Sequence, residues 1–311
     1  MALKNSVHIW ILGLLALTSC SAGDDTASKN SSAQEIVLSA EIEAMDSRAS
    51  TNLLSTKFVV NSRLGVYINE LTVGTPSVTY NQPIQYIVSD AAGSIRPITE
   101  SVPCYPTSGN QVKVSAFFPY VAINDMGSYT LRTDQSENSG YQNSDLMSAT
   151  VIGRNNSGPL NLEFKHLCSK ITYHLTSSDP DVIVEGSRVS LLNVKKSASV
   201  NATLGTIGVA YGDISDPIIV SYNGGKDGSA IILPQTITSD TKFIEVVLYT
   251  GEIVYGVMPT TYTFQEGKSY LFNIDIKVDR VASTITLGDI HIVDWVDDSS
   301  TPQTIEGERI Q

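Results

Sequence analysis

Residues 34–44 alternate in character. Ile36, Leu38, Ala40 and Ile42 fall on one parity and Glu35, Ser39, Glu41 and Glu43 on the other, with Val37 the single exception. A period of two places successive side chains on opposite faces of an extended chain, so this row reads as a half-buried strand. Comparable runs recur at 58–60, 64–69, 112–119, 160–175, 188–194, 217–222, 230–233, 243–249, 253–258, 270–278 and 284–295. Between two of them lies Asn223-Gly224-Gly225-Lys226-Asp227-Gly228, and between another two Thr250-Gly251-Glu252. Both read as hairpin connections, because glycine and asparagine accept the positive φ of tight turns. Helical periodicity is nearly absent; the one candidate is a short turn at Ser144-Asp145-Leu146-Met147. Many short strands separated by turns predict an all-β chain of antiparallel β-sandwiches.

Within 160–175 the apolar parity changes. Leu162, Phe164 and Cys168 share one face, whereas Leu167, Ile171, Tyr173 and Leu175 share the other, so the buried side switches near His166. A bulge or a crossing between layers produces such a switch. A length of 311 residues suits two domains. Asp179-Pro180-Asp181 is a natural break, which divides the chain into 34–180 and 181–311; Asn155-Asn156-Ser157-Gly158-Pro159 is the competing boundary.

The N-terminus reads as a targeting segment. Lys4 precedes the apolar run 9–17, which is too short to span a bilayer and suits the central region of a secretory signal. Leu17-Thr18-Ser19-Cys20 resembles the lipobox of bacterial lipoproteins, which implies a signal peptide at 1–19 and a lipid on the Cys20 thiol. Residues 20–33 carry no large apolar side chain after Cys20 and read as a flexible tether. Their Asp24-Asp25 pair resembles the acidic export signal of surface lipoproteins. An acyl chain anchors a protein that has no membrane-spanning helix. Three cysteines are an odd number; with Cys20 lipidated, Cys104 and Cys168 remain, and their pairing stays open.

Chemistry is not indicated. A formal net charge of -12 disfavours nucleic acid, whose phosphates require a basic footprint. No zinc-type spacing, nucleophile elbow or phosphate-binding loop is present, so no catalytic residue, metal or cofactor is expected apart from the covalent lipid on Cys20. His166 and Cys168, two apart in a strand, invite a nucleophile reading, but sheet packing accounts for them without an orienting third group. Tyrosines number 14 and offer a different role, a glycan-stacking platform built from Tyr80, Tyr86, Tyr105, Tyr120, Tyr129 and Tyr141. A surface glycan-binding lipoprotein is therefore the alternative function, and it requires those rings to be exposed together.

A series of phrases in order carries a family resemblance. They are Ser47-Arg48-Ala49, Leu64-Gly65-Val66-Tyr67, Ala116-Phe117-Phe118-Pro119-Tyr120, Asp145-Leu146-Met147, Phe164-Lys165-His166-Leu167-Cys168-Ser169-Lys170-Ile171, Leu233-Pro234-Gln235, Glu266-Gly267-Lys268-Ser269-Tyr270 and Val293-Asp294-Trp295, all following Cys20. Together they resemble the fimbrillin lipoproteins, subunits of the protease-matured pili of Bacteroidales. The resemblance implies two transthyretin-like β-sandwich domains, export to the outer membrane as a surface-exposed lipoprotein, and polymerisation without enzymatic activity. It also implies cleavage by a trypsin-like maturation protease between Arg48 and Ala49. That cut would release the strand bearing Ile36, Leu38, Ala40 and Ile42, and a strand from another pilus subunit would fill the groove. Candidates for the donor are 284–295 and the tail 297–311, the latter poor in apolar residues and interrupted by Pro302. Losing six acids (Asp24, Asp25, Glu35, Glu41, Glu43, Asp46) and two bases (Lys29, Arg48) still leaves the cut chain acidic.

Overall fold

The computed structural model describes residues 34–42, 57–72, 82–120, 127–201, 204–223, 226–276, 284–286 and 291–294. In chain order the first elements are β1 (Leu38–Ile42), β2 (Arg63–Leu71), β3 (Ile84–Val88), β4 (Ser94–Pro97), β5 (Gln111–Phe118) and β6 (Ser128–Thr130). A short helix α1 (Asn138–Asn143) leads to β7 (Met147–Gly153), β8 (Leu160–His166), β9 (Ser169–Thr176), β10 (Arg188–Leu191), β11 (Ser197–Asn201) and β12 (Thr206–Tyr211). Then come β13 (Ile218–Ile219), β14 (Ser221–Asn223), β15 (Asp227–Ile232), β16 (Gln235–Ile237), β17 (Lys242–Val247) and β18 (Ile253–Val257). The last are β19 (Tyr262–Phe264), β20 (Lys268–Asp275), β21 (Thr284–Thr286) and β22 (His291–Asp294). The chain is all-β, as the alternation predicts.

Seven strands enclose a first core in the order β1-β4-β3-β2-β5-β7-β8, and the ring closes where β8 meets β1. Every pairing in the ring is antiparallel except β1 with β8. Its interior holds Leu64, Val66, Val88, Val114, Leu162 and Phe164 among others. Phe58 is not part of a strand, contrary to the run at 58–60; its ring instead plugs this core, 4.9 Å edge-on from Phe164 and 5.2 Å from Phe118.

A second core lies between two five-stranded sheets, β13-β10-β17-β18-β21 and β14-β15-β9-β20-β22, with a three-stranded sheet β12-β11-β6 and the pair β16-β19 beside them. Both expected hairpins form. Asn223 faces Asp227 across the first, and in the second Gly251 takes φ 89° while the Leu248 amide donates to the Glu252 carbonyl. Deep in this core Phe243 stacks on Phe264, and Tyr270 meets Phe264 edge-on.

The parity switch near His166 marks the passage between cores. Leu160, Leu162 and Phe164 of β8 face the first, while Ile171, Tyr173 and Leu175 of β9 face the second. The chain also visits the second core earlier, since Tyr129, Leu131, Tyr141 and Leu146 belong to it before β7 returns to the ring. The change of core therefore falls at Leu167, and the break at Asp179-Pro180-Asp181 follows β9 within the second core. The anticipated turn at 144–147 is displaced: the helix is α1, and Met147 opens β7.

Candidate functional site: the first strand and the groove it fills

Residues 34–42 are held on both sides by main-chain bonds. At the start, the Tyr105 amide donates to the Gln34 carbonyl (2.8 Å), the Ile36 amide to the Pro103 carbonyl (2.9 Å), and Glu35 bridges Cys104. The Leu160 amide then donates to the Val37 carbonyl (2.9 Å). From there β1 runs antiparallel to β4, Leu38 facing Ile95 and Ser39 facing Ser94. On its other side it runs parallel to β8, from Leu38 opposite Leu160 to Ile42 opposite Phe164. Opposite the turn before β4, the Ala40 amide donates to the Gly93 carbonyl at 2.8 Å.

The inward row is the one the alternation picks out. Ile36 and Leu38 are 2% exposed, Ala40 3% and Ile42 7%. Burial of a side chain the size of Ile36, Leu38 or Ile42 contributes about 1.5–3 kcal/mol each. Removing β1 would take this row away and leave β4 and β8 as two unpaired edges, with the core residues it covers, Leu162 and Phe164 among them, as an apolar floor between them.

The outward face is polar and read mainly by one residue. Asn161 on β8 accepts from the Ser39 hydroxyl at 3.0 Å and donates to the Glu41 carboxylate. Further along, the Asn156 amide donates to the Gln34 side-chain oxygen at 2.8 Å.

Gly93 fixes how closely the strand lies. Its φ is 91°, in the left-handed region, and a Cβ there would stand 2.4 Å from the Ala40 carbonyl oxygen. Gly93 and Asn161 are not singled out by their surroundings in the sequence, and Asn156 stands out there only as part of the break at 155–159; each is defined by a partner some 50 to 120 positions away. The turn Asp90-Ala91-Ala92-Gly93 was the one available signal, and there Asp90 accepts from the Ala92 and Ser94 amides.

Of the other residues singled out, Cys20, Arg48 and Ala49 lie outside the described residues, as does the tail 297–311. The donor candidate 284–295 contains β21, parallel to β18, and β22, antiparallel to β20; each forms the edge of its sheet. No disulfide joins Cys104 to Cys168, and the Cys104 Sγ lies 3.6 Å from the Val102 carbonyl. Cys168 is fully buried, and desolvation first, then the nearby Asp145 charge, pushes its thiol well above the ordinary range. Its Sγ lies 3.7 Å from the Ser144 carbonyl, while His166 Nδ1 is 2.8 Å from Asp145. Burial of this kind disfavours the thiolate that a nucleophile needs, and Cys168 packs within the second core. Among the described residues no three metal-ligating side chains cluster, and no helix is long and apolar enough to cross a membrane. The tyrosine platform does not form: Tyr86, Tyr105, Tyr129 and Tyr141 are buried and Tyr120 half-buried, with Tyr80 outside the described residues.

A family model described as fimbrillin-like matches residues 47–295. A crystal structure from Bacteroides uniformis, provisionally described as a cell adhesion protein, is similar with a TM-score of 0.60 at 18% identity, covering 84% of this chain and 98% of the other. One from Bacteroides ovatus, with the same provisional description, has a TM-score of 0.62 at 19% identity and covers 85% and 98%. The tip fimbrial protein Mfa3 from Porphyromonas gingivalis, with C-terminal truncation, matches at 12% identity and a TM-score of 0.46, covering 84% and 100%. No curated protein matches this chain.

Proposed function

The chain belongs to the fimbrillin-like family, and on that premise we propose that it is a structural subunit of a surface pilus, assembled by exchange of its first strand. The observation that carries this reading is the position of β1. It is the strand that closes the ring, its inward row is buried, and it lies N-terminal to Arg48.

In this reading the protein leaves the cell as a lipoprotein on Cys20 and reaches the outer surface with its groove filled by its own strand. A trypsin-like protease cuts between Arg48 and Ala49, which severs the lipid anchor and β1 from the remainder together. A strand of a neighbouring subunit then satisfies the edges of β4 and β8 and covers the same apolar floor. The role requires no catalysis, and the inert burial of Cys168 is consistent with that. Burial of four of the six tyrosines weighs against the glycan-platform alternative.

The test is digestion of the purified, lipid-free chain with a trypsin-like protease, with N-terminal sequencing and size analysis in parallel. A new terminus at Ala49 together with higher oligomers is expected, and Arg48→Ala should abolish both. Oligomers forming equally well from the Arg48→Ala protein would refute protease-triggered assembly.

A further inference from the structure

The groove is not equally permissive along its length. Three of its inward positions hold Ile36, Leu38 and Ile42, and the fourth holds Ala40, just as buried as its neighbours. At that position the strand backbone lies close against the turn before β4. Its amide bonds the Gly93 carbonyl at 2.8 Å, its carbonyl lies where a Cβ on residue 93 would intrude at 2.4 Å, and on the opposite edge it is in register with Leu162. A strand pinned in this way cannot back out of the ring to make room for a larger inward side chain.

We propose that the position of Ala40 is a size filter that sets both the register and the sequence preference of any strand occupying the groove: the occupant is an extended peptide with large apolar residues at three inward positions and a small residue, Ala, Gly or Ser, at the third of the four. The proposal rests on the strand-exchange reading above and specifies what that exchange selects. Its physical basis is a double penalty for a slipped strand. A slip of one residue turns the apolar row outward. A slip of two drives Leu38 or Ile42 into the Ala40 position, which overpacks it, and places Ala40 in a pocket built for a larger side chain, which leaves a cavity. Outside the ring, Asn161 adds a weaker register mark by bonding both Ser39 and Glu41.

The test uses the full chain cut after Arg48 and labelled peptides that copy residues 34–44. The native peptide and its Ala40→Gly and Ala40→Ser versions should exchange into the cut protein with affinities within a few-fold of each other. Ala40→Leu, and a peptide with Leu38 and Ala40 interchanged, should bind at least about ten-fold more weakly. Native-like binding of the Ala40→Leu peptide would overturn the size filter while leaving strand exchange intact. If not even the native peptide exchanges, the strand-exchange reading fails instead, and the filter is judged on the uncut chain. There, Ala40→Leu should speed hydrogen exchange of the Ala40 and Leu160 amides about ten-fold while Ala40→Ser leaves it within a few-fold. Equal protection in all three proteins would overturn the filter.

Discussion

His166 Nδ1 sits 2.8 Å from the Asp145 carboxylate, where β8 leaves the first core and the chain enters the second. Both side chains are almost wholly shielded from water, and the second Asp145 oxygen has no hydrogen-bond partner among the described residues. One residue on, the Leu167 amide donates to the Leu146 carbonyl at 2.8 Å, so side-chain and main-chain bonds fasten the same crossing. Asp145→Ala should lower the unfolding free energy by about 1–3 kcal/mol in denaturant titration, because it takes the Asp145 carboxylate away from a buried imidazole. Asp145→Asn, which keeps the shape and an acceptor, should cost less.

Alkaline pH should weaken the fold through Cys168 and Tyr129. Burial raises both above their ordinary values of 9.0 and 10.0; the Asp145 and then the Glu266 charge add to it for Cys168, and the Cys168 and Asp145 charges add to it for Tyr129. For groups raised in the folded state, the stabilisation is complete below the unfolded value and declines as pH climbs from there towards the folded one. Stability should thus be level near neutrality and fall from about pH 9 upward, each such group contributing up to roughly 1.4 kcal/mol per pH unit. Thermal melts of Cys168→Ala should show a shallower alkaline decline than the parent.

Leu38→Ala separates the uncut from the assembled state. In the uncut chain it should cost about 2–5 kcal/mol, as for other buried leucines. After cutting and assembly the substituted strand is gone, so the polymers formed should be as stable to denaturant as those of the parent. Leu162→Ala, on the retained wall of the same groove, should weaken both states.

Membrane attachment should depend on one atom. Cys20→Ala removes the thiol that a lipid would occupy, and the protein should move from the membrane fraction to the soluble one; undiminished membrane association would contradict lipid anchoring.

Much of this was readable in the residues, and the limits have physical causes. Strands with one wet face, such as β1 and β8, show clean alternation, and the passage from β8 to β9 shows because the apolar parity flips at Leu167. Strand β7 was not legible because its outward positions break the polar pattern: Met147 and Ala149 enter the first core, Ser148 turns the other way and is buried against the Gly205 carbonyl, and the apolar Ile152 on that same side is exposed. With only three residues each, β6, β16 and β19 are too short to show a period, and the six residues of α1 span fewer than two turns. Helix α1 is placed instead by close approach, since a Cβ at Gly140 would meet the Asp134 carbonyl at 2.0 Å. The inward row of β1 was legible in full. What grips it was not, because Gly93 and Asn161 acquire their roles only when distant segments meet.

The central claim is that β1 is a removable strand whose place another strand takes. The Leu160 amide, bonded to the Val37 carbonyl, reports on this directly. Hydrogen exchange at that amide should be slow in the uncut chain, fast in the cut monomer once residues 20–48 have dissociated, and slow again in the assembled polymer. Protection that persists unchanged in a monomer freed of residues 20–48, or that never returns on assembly, would contradict the account.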